Sequence, residues 1–292
     1  MAGNTRQVLR RRIRGIRETA KVTGAMELIA STRMRRAEQR VLNARPYAQH
    51  LSDLMALTMG QAVIGPEHPF FLRSEEGSAL VVHITTDKGL CGGLNSRLNH
   101  ALGSFVMTQH EPVRVVTVGK KGRDFALRSR LNLIAEFTEL AGAPGIAELR
   151  PLCRLITDMF VRGEVDRVFV CYPQFVSVAM QRPTVERVLP VEGVDTGGAV
   201  THEVVFEPEP LRILEHLLVR YVEASVFRAC LELVACEQSS RMVAMHSATE
   251  SASDLAEAMT IELNRSRQAA VTEEICDVSA GVEVLAHGGI HE

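Results

Sequence analysis

The chain has no tryptophan, and aromatic residues make up only 4% of its 292 residues. That scarcity suits elongated helices better than a wide core. None of its six cysteines (Cys91, Cys153, Cys171, Cys230, Cys236 and Cys276) forms a CxxC pair, which argues against zinc ribbons and thioredoxin-like redox sites. The ten histidines form no HExxH or other metal spacing, so no metal is expected. The amino end lacks the apolar core of a signal peptide, and reduced thiols in a cytoplasmic setting are expected. From Leu211 to Ala280 there is neither proline nor glycine. Nothing there breaks a helix of roughly seventy residues, about 105 Å at 1.5 Å per residue.

A helix that long implies a coiled coil, a membrane span or a helical repeat. A span needs roughly twenty mostly apolar residues. Here charges recur too often, as at Arg220, Glu223, Arg228, Glu232, Glu237 and Arg241. No repeat of tens of residues is visible. Large side chains instead fall every three or four places, from Leu214, Leu217 and Tyr221 to Leu255, Met259 and Leu263. Such a stripe requires a partner helix.

Residues 4–58 supply the partner. Apolar residues recur at Val8 or Leu9, Ile13, Ile16, Ala20, Met26, Ile29, Met34, Ala37 and Val41. Pro46 removes one backbone donor and is a place for a kink. Gly60 and Gly65-Pro66 end the pattern. Charge supports the pairing, although the formal net charge is only -2. Residues 1–45 carry twelve Arg and Lys against three acids, and residues 203–292 carry six against sixteen. Opposite signs at the two ends fit helices lying side by side.

Between them the rhythm changes. Short apolar strands at 79–84, 113–118, 131–137, 167–172 and 184–189 alternate with helices at 94–107, 121–128 and 147–161. That alternation predicts βαβ units and a mostly parallel sheet. The expected architecture is of the α/β class: a long antiparallel coiled coil of N- and C-terminal helices (residues 1–60 and 208–286) with an inserted Rossmann-like α/β domain (residues 78–195).

The turn Asp87-Lys88-Gly89-Leu90-Cys91-Gly92-Gly93-Leu94-Asn95 follows a strand and precedes a helix, where backbone amides can hold a phosphate. Its spacing is neither GxxxxGK[ST] nor GxGxxG, and Lys88 precedes the glycines. The alternative is a tight turn in which glycine lets strand and helix approach. Cys91 is a nucleophile candidate without an evident activating base. The basic run Arg10-Arg11-Arg12, Arg14, Arg17 and Lys21 is either a nucleic-acid or acidic-membrane contact, or a solvated helix face with an acidic protein partner. The first 45 residues offer no aromatics for base stacking. The small residues from Ser239 to Ser253 read as close packing, or as a slim shaft fitted inside something else.

Four segments resemble the gamma-subunit family of F-type ATP synthases, over nearly the whole chain. They are Gly24-Ala25-Met26-Glu27-Leu28-Ile29-Ala30-Ser31 with Ala44-Arg45-Pro46-Tyr47; Thr86 to Asn95; Glu207-Pro208-Glu209-Pro210 with Arg220-Tyr221-Val222-Glu223 and Arg241-Met242-Val243-Ala244-Met245; and Asn264-Arg265-Ser266-Arg267-Gln268-Ala269-Ala270-Val271-Thr272-Glu273-Glu274. The resemblance implies a non-catalytic rotor, without a cofactor of its own. Its partners would be an alternating hexamer of alpha and beta subunits, an epsilon subunit and a ring of c subunits. The location implied is peripheral, on the cytoplasmic face of a bacterial plasma membrane. Carried over position by position, Met26, Arg241, Arg267, Gln268 and Thr272 match rotor–stator contacts. Phe206 and Glu207 match the foot that meets epsilon and the c ring. The Asp87–Asn95 turn is not a nucleotide site in that family. Gly24 departs from the usual Lys, and the carboxyl end from Ser279 onward departs from the usual glycine pair. A Rossmann-like enzyme or nucleotide sensor with a coiled-coil arm is the rival reading: it predicts nucleotide binding or turnover by the chain alone, abolished by Gly92→Val, where a rotor predicts neither. A basic-helix nucleic-acid binder would instead bind with strong salt dependence.

Overall fold

In a computed structural model, the described residues are 2–61, 77–140, 144–191 and 210–288. They form α1 (Ala2–Gln61), β1 (Ala79–Ile84), α2 (Leu94–Thr108), β2 (Val113–Val118), α3 (Lys120–Arg128), β3 (Asn132–Phe137), α4 (Ile146–Val161), β4 (Arg167–Phe175), β5 (Gln181–Leu189) and α5 (Pro210–Gly288). Every expected helix and strand is present. The largest boundary differences are at α5, which runs past Ala280 to Gly288, and at β4 and β5, which are three residues longer where they pair with each other. Pro46 lies inside α1; it and Leu42, whose carbonyl loses its donor, are both exposed, so water can satisfy the orphaned oxygen.

The chain divides into two compact units, one of residues 29–243 and one of residues 1–28 with 244–292. The larger unit holds a five-stranded sheet of order β3-β2-β1-β4-β5. The β1–β2, β1–β4 and β2–β3 pairs are parallel, and only β4–β5 is antiparallel. β1 lies at the centre and is buried throughout, as an apolar run between two covered faces must be. Its alternate residues serve different layers. Leu80, Val82 and Ile84 join a core with Leu152, Ile156 and Phe160 of α4 and with Leu218, Val222, Val226 and Leu233 of α5. Ala79 and Val81 pack with Leu102 of α2, and Phe105 and Phe125 lie against that cluster.

α5 is thus a layer of the α/β body as well as a coiled-coil strand. Periodicity alone assigns this apolar stripe to a partner helix. Between Leu218 and Leu233 the deepest side chains instead meet the sheet, because a parallel sheet needs both faces covered. The partner-helix contact is a separate cluster, in which Ala37 and Val41 of α1 meet Leu231, Ala235 and Cys236. In the smaller unit α1 and α5 again run antiparallel. Thr23 and Thr249 share a hydroxyl hydrogen bond at 2.7 Å, and His246 Nδ1 lies 3.0 Å from Glu27 Oε1. Leu9, Ile13, Met245, Ala256 and Ala270 are buried. Leu255, expected on the stripe, is 52% exposed. Arg10, Arg11, Arg12, Arg14, Arg17 and Lys21 are exposed. No described helix is long and apolar enough to cross a membrane.

Candidate functional site

The place where an α/β sheet ordinarily holds a ligand is beyond the carboxyl ends of its parallel strands. Here that edge consists of Thr85 to Asp87 after β1, Gly119 and Lys120 after β2, and Glu139 after β3. A phosphate would be attracted by the amino end of α3, whose first amides have no partner within the helix. All three are already taken. The Lys120 amide donates to Asp87 Oδ1 at 3.0 Å, the Lys121 amide to the Thr86 carbonyl at 3.1 Å and the Gly122 amide to Thr85 Oγ1 at 2.8 Å. The other carboxylate oxygen of Asp87 accepts from the Glu139 amide at 3.2 Å. Asp87 therefore sits where a phosphate would sit, and its negative charge complements the helix dipole. Gly119 makes the approach possible. Its φ is 93°, and a Cβ there would lie 2.1 Å from the Thr85 carbonyl oxygen.

The glycine turn is built for a different contact. Thr86 Oγ1 donates to the Lys88 carbonyl at 2.7 Å, and Asn95 Nδ2 donates to Thr86 Oγ1 at 2.8 Å and to Cys91 Sγ at 3.2 Å. Leu90 and Gly92 have φ of 63° and 55°. This conformation presents carbonyls to α5. Ser240 Oγ donates to the Cys91 carbonyl at 2.6 Å, and Arg241 Nη2 donates to the Gly89 carbonyl at 3.0 Å. Arg241 is held in turn by Glu237 at 2.7 Å. The same face of α5 grips the end of β4. Glu232 Oε2 accepts from the Phe175 amide at 2.9 Å, and Cys236 Sγ donates to the Pro173 carbonyl at 3.3 Å. The small residues Ser239 and Ser240 are buried hydrogen-bond donors in this contact.

Cys91 is 2% exposed, and burial pushes its thiol above the ordinary range, so it is held protonated and unreactive. Burial pushes Cys153, Cys171 and Cys230 up to about 12. All six cysteines are unpaired with one another, and Cys276 is the exposed one.

The residues expected to contact a stator are placed as follows. Met26 is half-buried on α1 beside Glu27. Arg267, Gln268 and Thr272 are exposed on α5, and Thr272 Oγ1 donates to the Gln268 carbonyl one turn back at 3.0 Å. Those three share one stretch of helix. Met26 lies elsewhere in that unit, at the level of His246, about 30 Å along α5 from Arg267 at 1.5 Å per residue. Arg241 lies in the larger unit and is 9% exposed. Phe206 and Glu207 fall outside the described residues. The sequence names Asp87 only as the first residue of the glycine turn and Glu232 only as a charge on the long helix; it misses their roles, because their partners lie 33 and 57 residues away and no spacing rule connects them.

A strand edge closed by its own carboxylate, with a glycine turn bound to a helix, defines a docking body of Rossmann-like topology and not a nucleotide-hydrolysing site. The comparisons agree. The ATP synthase family model matches residues 5–285. A gamma chain of ATP synthase from Dehalococcoides mccartyi (strain CBDB1) is 41% identical over 281 residues, covering 96% of this chain and 99% of that one. One from Roseiflexus castenholzii is 38% identical over 289 residues, covering 97% and 99%. The chain belongs to the ATP synthase gamma chain family. Among solved structures, a chain of the Euglena gracilis mitochondrial ATP synthase aligns with a TM-score of 0.69 at 14% identity, covering 99% of this chain and 97% of that one. One from the central stalk and c-ring of the Tetrahymena thermophila enzyme aligns at 0.60 and 22%, covering 78% and 99%. At those identities the likeness is one of fold.

Proposed function

We propose that this chain is the central rotor shaft of an F-type ATP synthase, coupling ion flow through a membrane c ring to the nucleotide sites of the beta subunits. The observation that carries the reading is end-to-end identity of about 40% to bacterial gamma chains. The occupied amino end of α3 removes the rival, a Rossmann-type enzyme. The shaft comprises residues 1–60 and 208–286, and the α/β body residues 78–195. An alternating hexamer of alpha and beta surrounds the shaft, and epsilon and the c ring hold its foot at Phe206 and Glu207. The complex places the chain peripherally on the cytoplasmic face of a bacterial plasma membrane. Whether H⁺ or Na⁺ is carried is decided by the c ring.

Torque passes through Met26, Arg267, Gln268 and Thr272, which offer half-buried or exposed side chains. Arg241 acts differently, because its guanidinium already binds Gly89 and Glu237; it fixes the turn that displays exposed Lys88 and Leu90. A shaft biases a site only if the site's alternative shapes are contacted unequally, and Arg267, Gln268 and Thr272, exposed on one side of α5, provide that asymmetry. Reconstitution tests the reading. The purified chain alone should hydrolyse no ATP, and adding it to alpha and beta should produce rotation-coupled hydrolysis. ATP hydrolysis by the chain alone, or an alpha–beta assembly indifferent to it, would refute the proposal.

A further inference from the structure

We infer that the larger unit holds a binding site for a short phosphate chain, in a cavity of about 690 Å³ between the strand ends and the two long helices. That volume is of the size that takes small ligands. Its charge is unbalanced. Arg33, Arg36, Arg40, Lys88, Lys120 and Arg241 line it, against the carboxylates Asp87, Glu139 and Glu237. Each carboxylate is engaged within the protein: Asp87 by the Lys120 and Glu139 amides, Glu139 by Lys120 at 2.8 Å, and Glu237 by Arg241 at 2.7 Å. The side chains of Arg33, Arg36, Arg40 and Lys88 have no ion-pair or hydrogen-bond partner among the described residues.

Those three arginines stand at i, i+3 and i+7 on α1, so they share one face, where like charges repel. The buried Ala37 between them keeps that side of the helix close to α5. A planar guanidinium binds phosphate bidentately, and several aimed at one space suit an anion with several phosphate groups better than a single carboxylate. Because Asp87 closes the amino end of α3, the ligand is held by side chains and not by the glycine turn. Apolar walls from Leu140, Pro144 and Leu233 leave room for an organic group, so an inorganic polyphosphate and a nucleoside triphosphate offer the same recognised chemistry.

The test is calorimetric titration of the full chain with tripolyphosphate and, separately, with ATP at constant ionic strength. Saturable one-to-one binding is expected, weakened at least tenfold in Arg36→Gln with Arg40→Gln. Arg12→Gln, on an exposed position of α1 outside the cavity, should leave it unchanged. Preference for tripolyphosphate would identify an inorganic ligand; preference for ATP, unhydrolysed and lost in Arg36→Gln with Arg40→Gln, would identify a nucleotide held by the arginines and not by the glycine turn of the rival reading; either supports the site. No saturable binding up to millimolar concentration, or equal weakening in Arg12→Gln, would overturn it. The variants alter exposed arginines, and a circular-dichroism melt checks that they fold.

Discussion

Removing Asp87 should both destabilise the α/β unit and create the anion site that the carboxylate now fills. Two backbone amides donate to it, at 3.0 and 3.2 Å. Hydrogen bonds to a charged group contribute about 1.5–3 kcal/mol each. Asp87 is half-exposed, so the lower end applies. Its interaction with the amino end of α3 adds about 0.3–1 kcal/mol. Asp87→Ala should therefore cost about 3 kcal/mol. At a urea slope of about 2 kcal/mol per molar, the midpoint falls by about 1.5 M. Asp87→Asn keeps an acceptor oxygen and should lose about half as much. The freed Lys120 amide then faces solvent beside the Lys120, Lys121 and Arg123 side chains, a setting that attracts phosphate. With a dissociation constant of about 10 mM, 100 mM phosphate would restore about 1.4 kcal/mol to Asp87→Ala. The assay is urea unfolding of wild type and both variants, in phosphate and in chloride of matched ionic strength. The wild-type response subtracts the general stabilisation by excluded salts. Less than about 0.5 kcal/mol lost in Asp87→Ala, or no recovery beyond the wild-type response, would refute the view that a carboxylate has replaced a phosphate.

His83 is fully buried, with Nε2 2.9 Å from Asn99 Oδ1 and Nδ1 lacking a partner, and burial lowers its pKa to about 4. The unfolded chain then takes up this proton first, so stability present above about pH 6.5 is lost as pH falls toward 4, by about 3 kcal/mol in all. His83→Gln should flatten unfolding free energy across that window, and an unchanged slope would contradict the assignment. Under native conditions a thiol reagent should modify Cys276 rapidly and Cys91 only on unfolding, read by mass spectrometry; prompt labelling of Cys91 would argue against its burial. Met26→Lys should impair coupling by placing a charge at a rotor–stator contact, and unchanged ions pumped per ATP would count against it. Arg267→Ala with Gln268→Ala should lower hydrolysis more than assembly, whereas equal losses would deny those residues a role in torque.

Local rules reached far into this protein. The absence of helix breakers from Leu211 to Ala280, the apolar stripe from Leu9 to Val41 and the opposed charges of the two ends determined two long helices that pair antiparallel. Alternating strand and helix patterns determined a mostly parallel sheet between them, and the family motifs made the rotor legible. These features repeat every two to four residues, and a one-dimensional reading detects such periods. Tertiary structure alone decided what the glycine turn is for. Asp87 reaches the amino end of α3 only because parallel pairing brings the ends of β1 and β2 together, across 33 residues of chain. Arg241 and Ser240 meet the turn only because α5 covers the sheet, about 150 residues after it. Turn chemistry permits a phosphate or a carbonyl contact equally; the neighbour that arrives from far along the chain selects between them.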